Sequence, residues 1–364
     1  MSPTVLLTGA TGFLGMEVLA RLLEREDVEV LALVRGSDDD EAQARLDGVL
    51  STLYESPSPE MSKRARAVRG DATSEGLGLS DADRQEVVSR VDGVLHCAAS
   101  ISFDLPLAEA REINTEGTRR VLEVAHEISS LRRFVHVSTA YVSGDYEGCF
   151  RESDLDVGQG FRNTYEQSKY ETEVMLAEQA GDLPLAIARP SIVVGEAATG
   201  WTPTFNVIYW PLQAFSRGLF DRVPATADGR VDIVPVDYVA DALVHLLDHE
   251  EICETVHLVA GDEAVTNTKL IELASELLGR PQPELMDPSE SLDLEEASIY
   301  LPYFNVRAEF DDSRAREIFR PHGFGPTPLA DYFGPLIEYA VNTRWGRRPV
   351  TREAAAAALE RPVA

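Results

Sequence analysis

The sequence predicts an α/β protein: a doubly wound parallel sheet carrying a smaller, mainly helical C-terminal lobe. Three observations predict it. The apolar triplet Val5-Leu6-Leu7 runs into a glycine-spaced turn and then a helical pattern. Strand and helix signals alternate through the first two-thirds of the chain, as parallel βαβ units require. The strand Phe134-Val135-His136-Val137 runs into hydroxyl residues, Ser138 and Thr139, where the carboxyl edge of such a sheet would lie.

The first element is the most informative. Thr8-Gly9-Ala10-Thr11-Gly12-Phe13-Leu14-Gly15 spaces three glycines evenly, and residues 16–24 continue with helical periodicity. One glycine permits the tight strand-to-helix turn, one lets backbone N–H groups approach a pyrophosphate, and one lets helix and strand pack closely. The anion then sits at the positive end of the helix dipole. Strand, turn and helix together, rather than the glycines alone, point to a dinucleotide site.

The remaining elements follow in order. Residues 28–34 read as the second strand, 36–60 as a loop and surface helix, 65–68 as the third strand and 91–96 as the fourth. Residues 106–128 carry helical periodicity, 134–137 form a strand, 163–180 an amphipathic helix and 185–188 a further strand. Beyond Gly195 the pattern changes. Residues 199–227 are rich in Trp, Phe, Tyr and Pro, which suits the lining of an apolar pocket; Trp201, Phe205, Ile208, Tyr209, Trp210 and Phe215 stand out. Residues 231–262 return to strand–helix–strand form, and 263–350 read as helices separated by Pro-rich joints. These patterns predict a Rossmann-like nucleotide-binding domain over 1–198 and 228–262 and a substrate lobe over 199–227 and 263–350. Residues 351–364 read as a frayed terminal helix.

The formal charge of −29 over 364 residues argues against nucleic acid and anionic membrane surfaces as partners, and reads as a solvated acidic surface. No apolar run is long enough to span a bilayer. Cys97, Cys149 and Cys253 lack metal-ligand spacing, and the sheet begins at Val5, which leaves no room for a signal peptide. A reduced, cytoplasmic protein is expected. His126, His245, His249 and His257 read as structural, without partners at metal spacing, so no metal is expected. Asp38-Asp39-Asp40-Glu41 reads as a solvated loop and helix start.

Tyr165-Glu166-Gln167-Ser168-Lys169 carries the second chemical signal. A tyrosine and a lysine four residues apart share one helix face. The lysine cation favours phenolate, lowering a pKa that starts near 10 and making the tyrosine a proton donor or acceptor. At the end of the second strand, Arg35 stands where an acid would bind the ribose 2′-hydroxyl of NAD. An arginine there suits a 2′-phosphate, so NADPH and reduction are expected.

With these residues in view, the chain resembles an extended short-chain dehydrogenase/reductase. The resemblance rests on Thr8 to Gly15, Ser138-Thr139, Tyr165 with Lys169, Asn114-Thr115-Glu116-Gly117-Thr118 and Ala188-Arg189-Pro190-Ser191-Ile192-Val193-Val194-Gly195, over roughly residues 4–262. It implies Thr139, Tyr165 and Lys169 as a catalytic triad. Tyr165 would handle the proton, Lys169 would bind the nicotinamide ribose and tune Tyr165, and Thr139 would orient the carbonyl. Cofactor contacts are implied at Gly9, Thr11, Gly12, Phe13, Leu14 and Gly15, at Asp71 beside the adenine, at Ala98 and Ala99 beside the adenosine ribose, and at Pro190 and Ile192. His96-Cys97-Ala98-Ala99-Ser100-Ile101-Ser102-Phe103 and Val234-Pro235-Val236-Asp237-Tyr238-Val239-Ala240 are similar to the thioester reductase branch, which includes the fatty acyl-coenzyme A reductases.

The expected reaction is therefore NADPH-dependent reduction of an acyl thioester to an aldehyde, with onward reduction to the alcohol left open. Reduction of free ketones or aldehydes, sugar-nucleotide epimerisation or dehydration, and a non-catalytic nucleotide sensor are the alternatives. No adenylation or carrier segment is recognised, so a carrier protein is expected to arrive in trans. Because carriers are acidic, a local basic patch is needed. Arg344-Trp345-Gly346-Arg347-Arg348 with Arg352, and Arg111, Arg119 and Arg120, are the candidates, unless neighbouring carboxylates neutralise them.

Overall fold

Every residue of the strand Thr4–Thr8 is buried, which fits a strand at the middle of a sheet covered on both faces. The computed structural model describes residues 3–205, 207–288, 290 and 300–359. Seven parallel strands form the main sheet: β1 (Thr4–Thr8), β2 (Glu29–Val34), β3 (Ala65–Arg69), β4 (Gly93–His96), β5 (Arg133–Val137), β6 (Leu185–Pro190) and β7 (Thr255–Leu258). Their order is β7-β6-β5-β4-β1-β2-β3. Leu7 pairs with Ala32 of β2 on one side and Leu95 of β4 on the other, so the strand order reverses at β1. That reversal opens a crevice at the carboxyl ends of β1 and β4.

The first-strand helix, Phe13–Glu24, packs with Val236–Asp248 on one face of the sheet, burying Val18, Leu22, Leu243 and Leu246. The acidic run does start a helix: Asp38 caps Asp39–Leu53 by accepting from the Glu41 N–H at 2.8 Å, with acids in the first turn where the helix dipole favours them. The helix Asp81–Arg90, which leads from β3 to β4, has no counterpart in the sequence reading. It buries only Val87, so it offers almost no apolar periodicity.

A second core lies in the lobe, where Ile208, Leu212, Phe215, Leu270, Tyr332 and Phe333 meet Val142, Ile192 and Val194 beside the strand ends. Two details depart from the sequence reading. Pro335 lies inside the helix Leu329–Asn342 rather than at a joint. Ser313–Phe319, assigned to the lobe, contributes Ala315 and Phe319 to the core of the main sheet.

The tail is not simply frayed. Arg352–Leu359 is helical, and Arg352 reaches Glu196 at 2.6 Å, Glu24 at 2.7 Å and Glu17 at 3.2 Å. The last five residues, 360–364, lie outside the described residues. His245 and His249, expected to stand alone, meet His322 from a distant segment. No helix among the described residues is long and apolar enough to cross a membrane.

Candidate active site

Six strands of one parallel sheet deliver the predicted residues to a single edge. Gly9 follows β1, Arg35 follows β2, Asp71 lies just past β3, Ala98 and Ala99 follow β4, Thr139 follows β5, and Pro190 ends β6.

At β1 the turn has no room for side chains. Gly9 has φ +76°, and a Cβ there would sit 2.7 Å from the Ala98 nitrogen. A Cβ on Gly15 would fall 2.0 Å from the Gly9 oxygen. Gly12 donates to the Gly9 carbonyl at 2.9 Å, which closes the turn. The helix Phe13–Glu24 then begins without a side-chain cap, so Phe13 and Leu14 present first-turn N–H groups at the crevice. Thr11 is exposed beside them. This cradle fits a pyrophosphate.

The strand ends are wired together. Thr118 donates to the Asn114 carbonyl at 2.6 Å and so accepts from His96 Nε2–H at 2.9 Å. His96 Nδ1 then accepts from the Thr8 hydroxyl at 2.6 Å, and Thr8 Oγ1 accepts from the Ala98 N–H at 3.2 Å. Burial holds His96 neutral, pushing it down to about 3. The imidazole acts here as a fixed hydrogen-bond relay between β1, β4 and the following helix.

Asn163 caps the helix Thr164–Gln179 by accepting from the Glu166 N–H at 2.9 Å. Tyr165 on that helix lies beside the Thr139 hydroxyl. Thr139 also reaches the Pro190 carbonyl at 3.4 Å, which ties β5 to β6. Lys169 donates to the Val137 carbonyl at 2.8 Å and to His136 Nε2 at 3.2 Å. The structure thus brings Thr139, Tyr165 and Lys169 to one place. The expected electrostatics differ, however. Burial pushes Tyr165 up to about 12, the neighbouring Thr139 hydroxyl opposing only in part. Lys169 does not lower it, because its ammonium is turned to Val137 and His136. Burial lowers Lys169 itself to about 8.

Several contacts around these residues escaped the sequence reading. His136 is a polar residue within the apolar run Phe134 to Val137, and that break in pattern was its only signal. Phe103 packs against Tyr165 with ring centroids 5.7 Å apart, and Tyr303 stacks on Phe103 at 5.1 Å. The Tyr303 hydroxyl accepts from Asn163 Nδ2 at 2.9 Å, joining the lobe to the start of the catalytic helix. Asn114, in a π-helical turn Glu112–Glu116, donates to Ser168 Oγ at 2.9 Å and holds both the N–H and the carbonyl of Ser100. Such turns recur where a helix must aim a side chain.

Elsewhere on the edge, Asp71 Oδ1 accepts from the Thr73 N–H and hydroxyl, both at 2.9 Å. Arg35 is exposed, and its carbonyl accepts from Arg45 at 2.8 Å, so two guanidinium groups adjoin the end of β2. Ile192 opens a short strand paired with Ile233–Pro235, beside Pro190.

Of the apolar residues expected to line a pocket, Ile208 and Phe215 line a cavity in the lobe with Leu212, Phe220, Leu270 and Phe304. Asn267 is its polar member, and its buried Oδ1 has no partner among the described residues. Trp201 is buried and donates to the Val350 carbonyl, and Tyr209 accepts from the Gly195 N–H. Both serve the fold.

The basic candidates separate cleanly. Arg111 pairs with Glu171, Arg119 with Glu116, Arg120 with Glu112, and Arg352 with its three glutamates. Those four are neutralised. Arg344, Arg347 and Arg348 instead surround an open cleft with Arg217 and Trp345, and none of these four arginines has an ion pair among the described residues. Arg344 and Trp345 take left-handed backbone angles, φ 53° and 55°, ahead of Gly346 at 82°. That turn follows the helix Leu329–Asn342 directly and holds the arginines on the surface.

Sheet order, glycine turn and the Tyr165–Lys169 helix define an extended short-chain dehydrogenase/reductase. A family model described as male sterility protein matches residues 7–243, and the chain belongs to that family. It is 30% identical to the fatty acyl-CoA reductase wat of Drosophila melanogaster over 273 residues, covering 66% of this chain and 53% of that protein. It is 33% identical to a linear gramicidin synthase polypeptide of Brevibacillus parabrevis over 264 residues, 70% of this chain and 5% of that one. The chain spans about half the length of the fatty acyl-CoA reductases it matches. The terminal R domain of the myxalamid PKS-NRPS pathway superposes with a TM-score of 0.80 at 26% identity, covering 96% of this chain and 92% of that one. UDP-glucuronic acid 4-epimerase from Bacillus cereus superposes at 0.68 with 18% identity, covering 94% and 99%, a likeness of fold alone.

Proposed function

We propose that the protein is a cytoplasmic NADPH-dependent reductase that converts an acyl thioester, on coenzyme A or on a carrier protein in trans, to an aldehyde. The observation that carries this reading is the Tyr165 ring beside the Thr139 hydroxyl, with Lys169 one turn beyond, on the edge that holds the glycine cradle. Glycine turn and uncapped helix would hold the pyrophosphate, Arg35 and Arg45 the 2′-phosphate, and Lys169 the nicotinamide ribose. The nicotinamide, when bound, supplies the hydride. Thr139 and Tyr165 would hold the thioester carbonyl oxygen and stabilise its developing charge, and Tyr165 would deliver the proton to it. The resulting hemithioacetal loses its thiol as the C–S bond breaks, leaving the aldehyde. The lobe cavity is lined by apolar side chains apart from Asn267, a lining that offers a sugar nucleotide few polar partners. Mixing the purified chain with reduced cofactor and acyl-CoA, acyl-carrier, aldehyde and sugar-nucleotide substrates, and following cofactor absorbance, tests the reading. Turnover of sugar nucleotides with no oxidation on any thioester would overturn it.

Arg35→Ala is expected to weaken NADPH by on the order of 1.5–3 kcal/mol, the worth of a charge-assisted bond to phosphate, and to leave NADH nearly unchanged. Equal losses in titrations of the two cofactors would show that Arg35 does not read the 2′-phosphate.

The pH profile follows from Lys169. Burial lowers it from 10.5 to about 8, so the ammonium is present below that pH and lost above it. In the wild type kcat/KM should fall as pH rises through about 8, and in Lys169→Arg the alkaline limb should vanish, since a guanidinium stays charged. An unmoved limb in that variant would assign it to another group.

For the carrier, Arg347→Glu with Arg348→Glu is expected to lower kcat/KM for a carrier-bound thioester roughly tenfold and to spare a small free aldehyde. Added salt should shrink the loss. Equal loss on both substrates would indicate a folding defect, and no loss would remove the cleft from docking.

A further inference from the structure

We propose that His245, His249 and His322 form a binding site for a divalent late first-row transition ion, zinc being the probe of choice, which clips the 320–324 turn to the helix Val236–Asp248. One nitrogen from each of the three rings lies within 4.8 Å of the others. A tetrahedral zinc with bonds near 2.0–2.1 Å needs its ligands about 3.4 Å apart. The ligand atoms therefore have to close by up to about 1.4 Å, and because the His245 and His249 rings are stacked 23° apart, one of the two partly exposed rings must also turn for both lone pairs to meet the ion.

The second observation is the orientation of His249. Its Nδ1–H donates to the His245 carbonyl at 2.8 Å, which fixes the tautomer and leaves the lone pair on Nε2. A backbone carbonyl bound to the far nitrogen is how metal-ligating imidazoles are aimed. His245 stands between its two partners, with ring centroids 3.8 Å from His249 and 4.3 Å from His322. Phe319 and Phe324 wall the inner side, with His245 edge-on to both. Three nitrogens against an apolar wall, open to solvent outward, leave a fourth position for water. Imidazole donors favour zinc, copper or nickel over magnesium or calcium.

The site is far from the catalytic edge. Arg133, which starts β5, donates to the Leu246 carbonyl, and Arg25 pairs with Asp248, so this helix end lies at the strand-start edge. The ion would act on the fold. It would hold together the Val236–Asp248 helix and a segment more than seventy residues later in the chain.

The test is calorimetric titration of the full chain with zinc after chelator treatment, alongside cobalt(II) binding read by visible absorption. Wild type should take one equivalent, show the absorption of a nitrogen-bound tetrahedral cobalt, and melt at a higher temperature with zinc than with chelator. His322→Ala and His249→Ala should each weaken binding by about tenfold or more. His126→Ala and the Cys149→Ser/Cys253→Ser variant should bind as wild type does. Circular dichroism checks the fold of each variant, and His322→Ala, the most exposed change, decides the matter if His249→Ala misfolds. Absence of saturable one-equivalent binding, binding that survives His322→Ala, or binding lost with the cysteines would each overturn the proposal.

Discussion

Tyr165→Phe is expected to lower turnover by ~10²-fold or more while NADPH affinity stays near that of the wild type. The substitution keeps the ring that packs against Phe103 and keeps the helix position, and removes only the hydroxyl beside Thr139. The proposed catalytic role asks that hydroxyl to deliver a proton to the reduced carbonyl, which a phenyl group cannot do. Lys169→Ala should differ in kind. It removes the cation beside Val137 and His136 and the proposed ribose contact, so both cofactor affinity and rate should fall. Steady-state kinetics with a fluorescence titration of the cofactor separate the two outcomes. Near wild-type turnover in Tyr165→Phe would remove the tyrosine from the chemistry.

Glu173→Ala is expected to cost about 3–5 kcal/mol of stability, as removal of one partner from a buried ion pair does. Glu173 lies one turn along the helix from Lys169 and takes Arg189 in a bidentate pair, with contacts at 2.7, 3.0 and 3.1 Å. Both side chains are almost wholly buried. The Ser138 hydroxyl also donates to Glu173, while Arg189 donates to the Asp154 carbonyl at 2.8 Å and to His257 Nε2 at 3.3 Å. Loss of the carboxylate leaves a guanidinium unpaired between β5, β6 and β7. Urea denaturation measures the change, and Glu173→Ala combined with Arg189→Met should recover part of it, since no charge is then stranded. A loss below about 1 kcal/mol in the single variant would show that the remaining partners suffice for Arg189.

The strands and the glycine turn were legible because each is a local pattern: apolar runs of strand length, glycines at fixed spacing, and hydroxyls at a strand end. The Tyr165–Lys169 pair was legible for the same reason, being one helical turn. What could not be read depends on contacts distant in sequence. Tyr303 reaches Asn163 across 140 positions, and His322 joins His245 only because the chain folds back beneath the helix. The fate of the arginines was equally hidden. Whether Arg119 is neutralised and Arg347 is not depends on which carboxylates the fold places nearby, and composition gives only their number. The direction of the Tyr165 shift was missed because helix spacing places the lysine near the phenol but says nothing of the carbonyl and imidazole that claim its ammonium.

The sheet order also constrains how the molecule is assembled. β1, β2 and β3 are consecutive in the chain and pair as neighbours, whereas β4 must return past β2 and β3 to insert on the free side of β1. Pairings that close long loops come late and slowly. The crevice at the glycine turn exists only once β4 is seated, because Ala98 forms its far wall against Gly9. The nucleotide crevice is therefore a non-local construction that no fragment ending before β4 can contain, and during synthesis it must await the residues of β4 and Ala98.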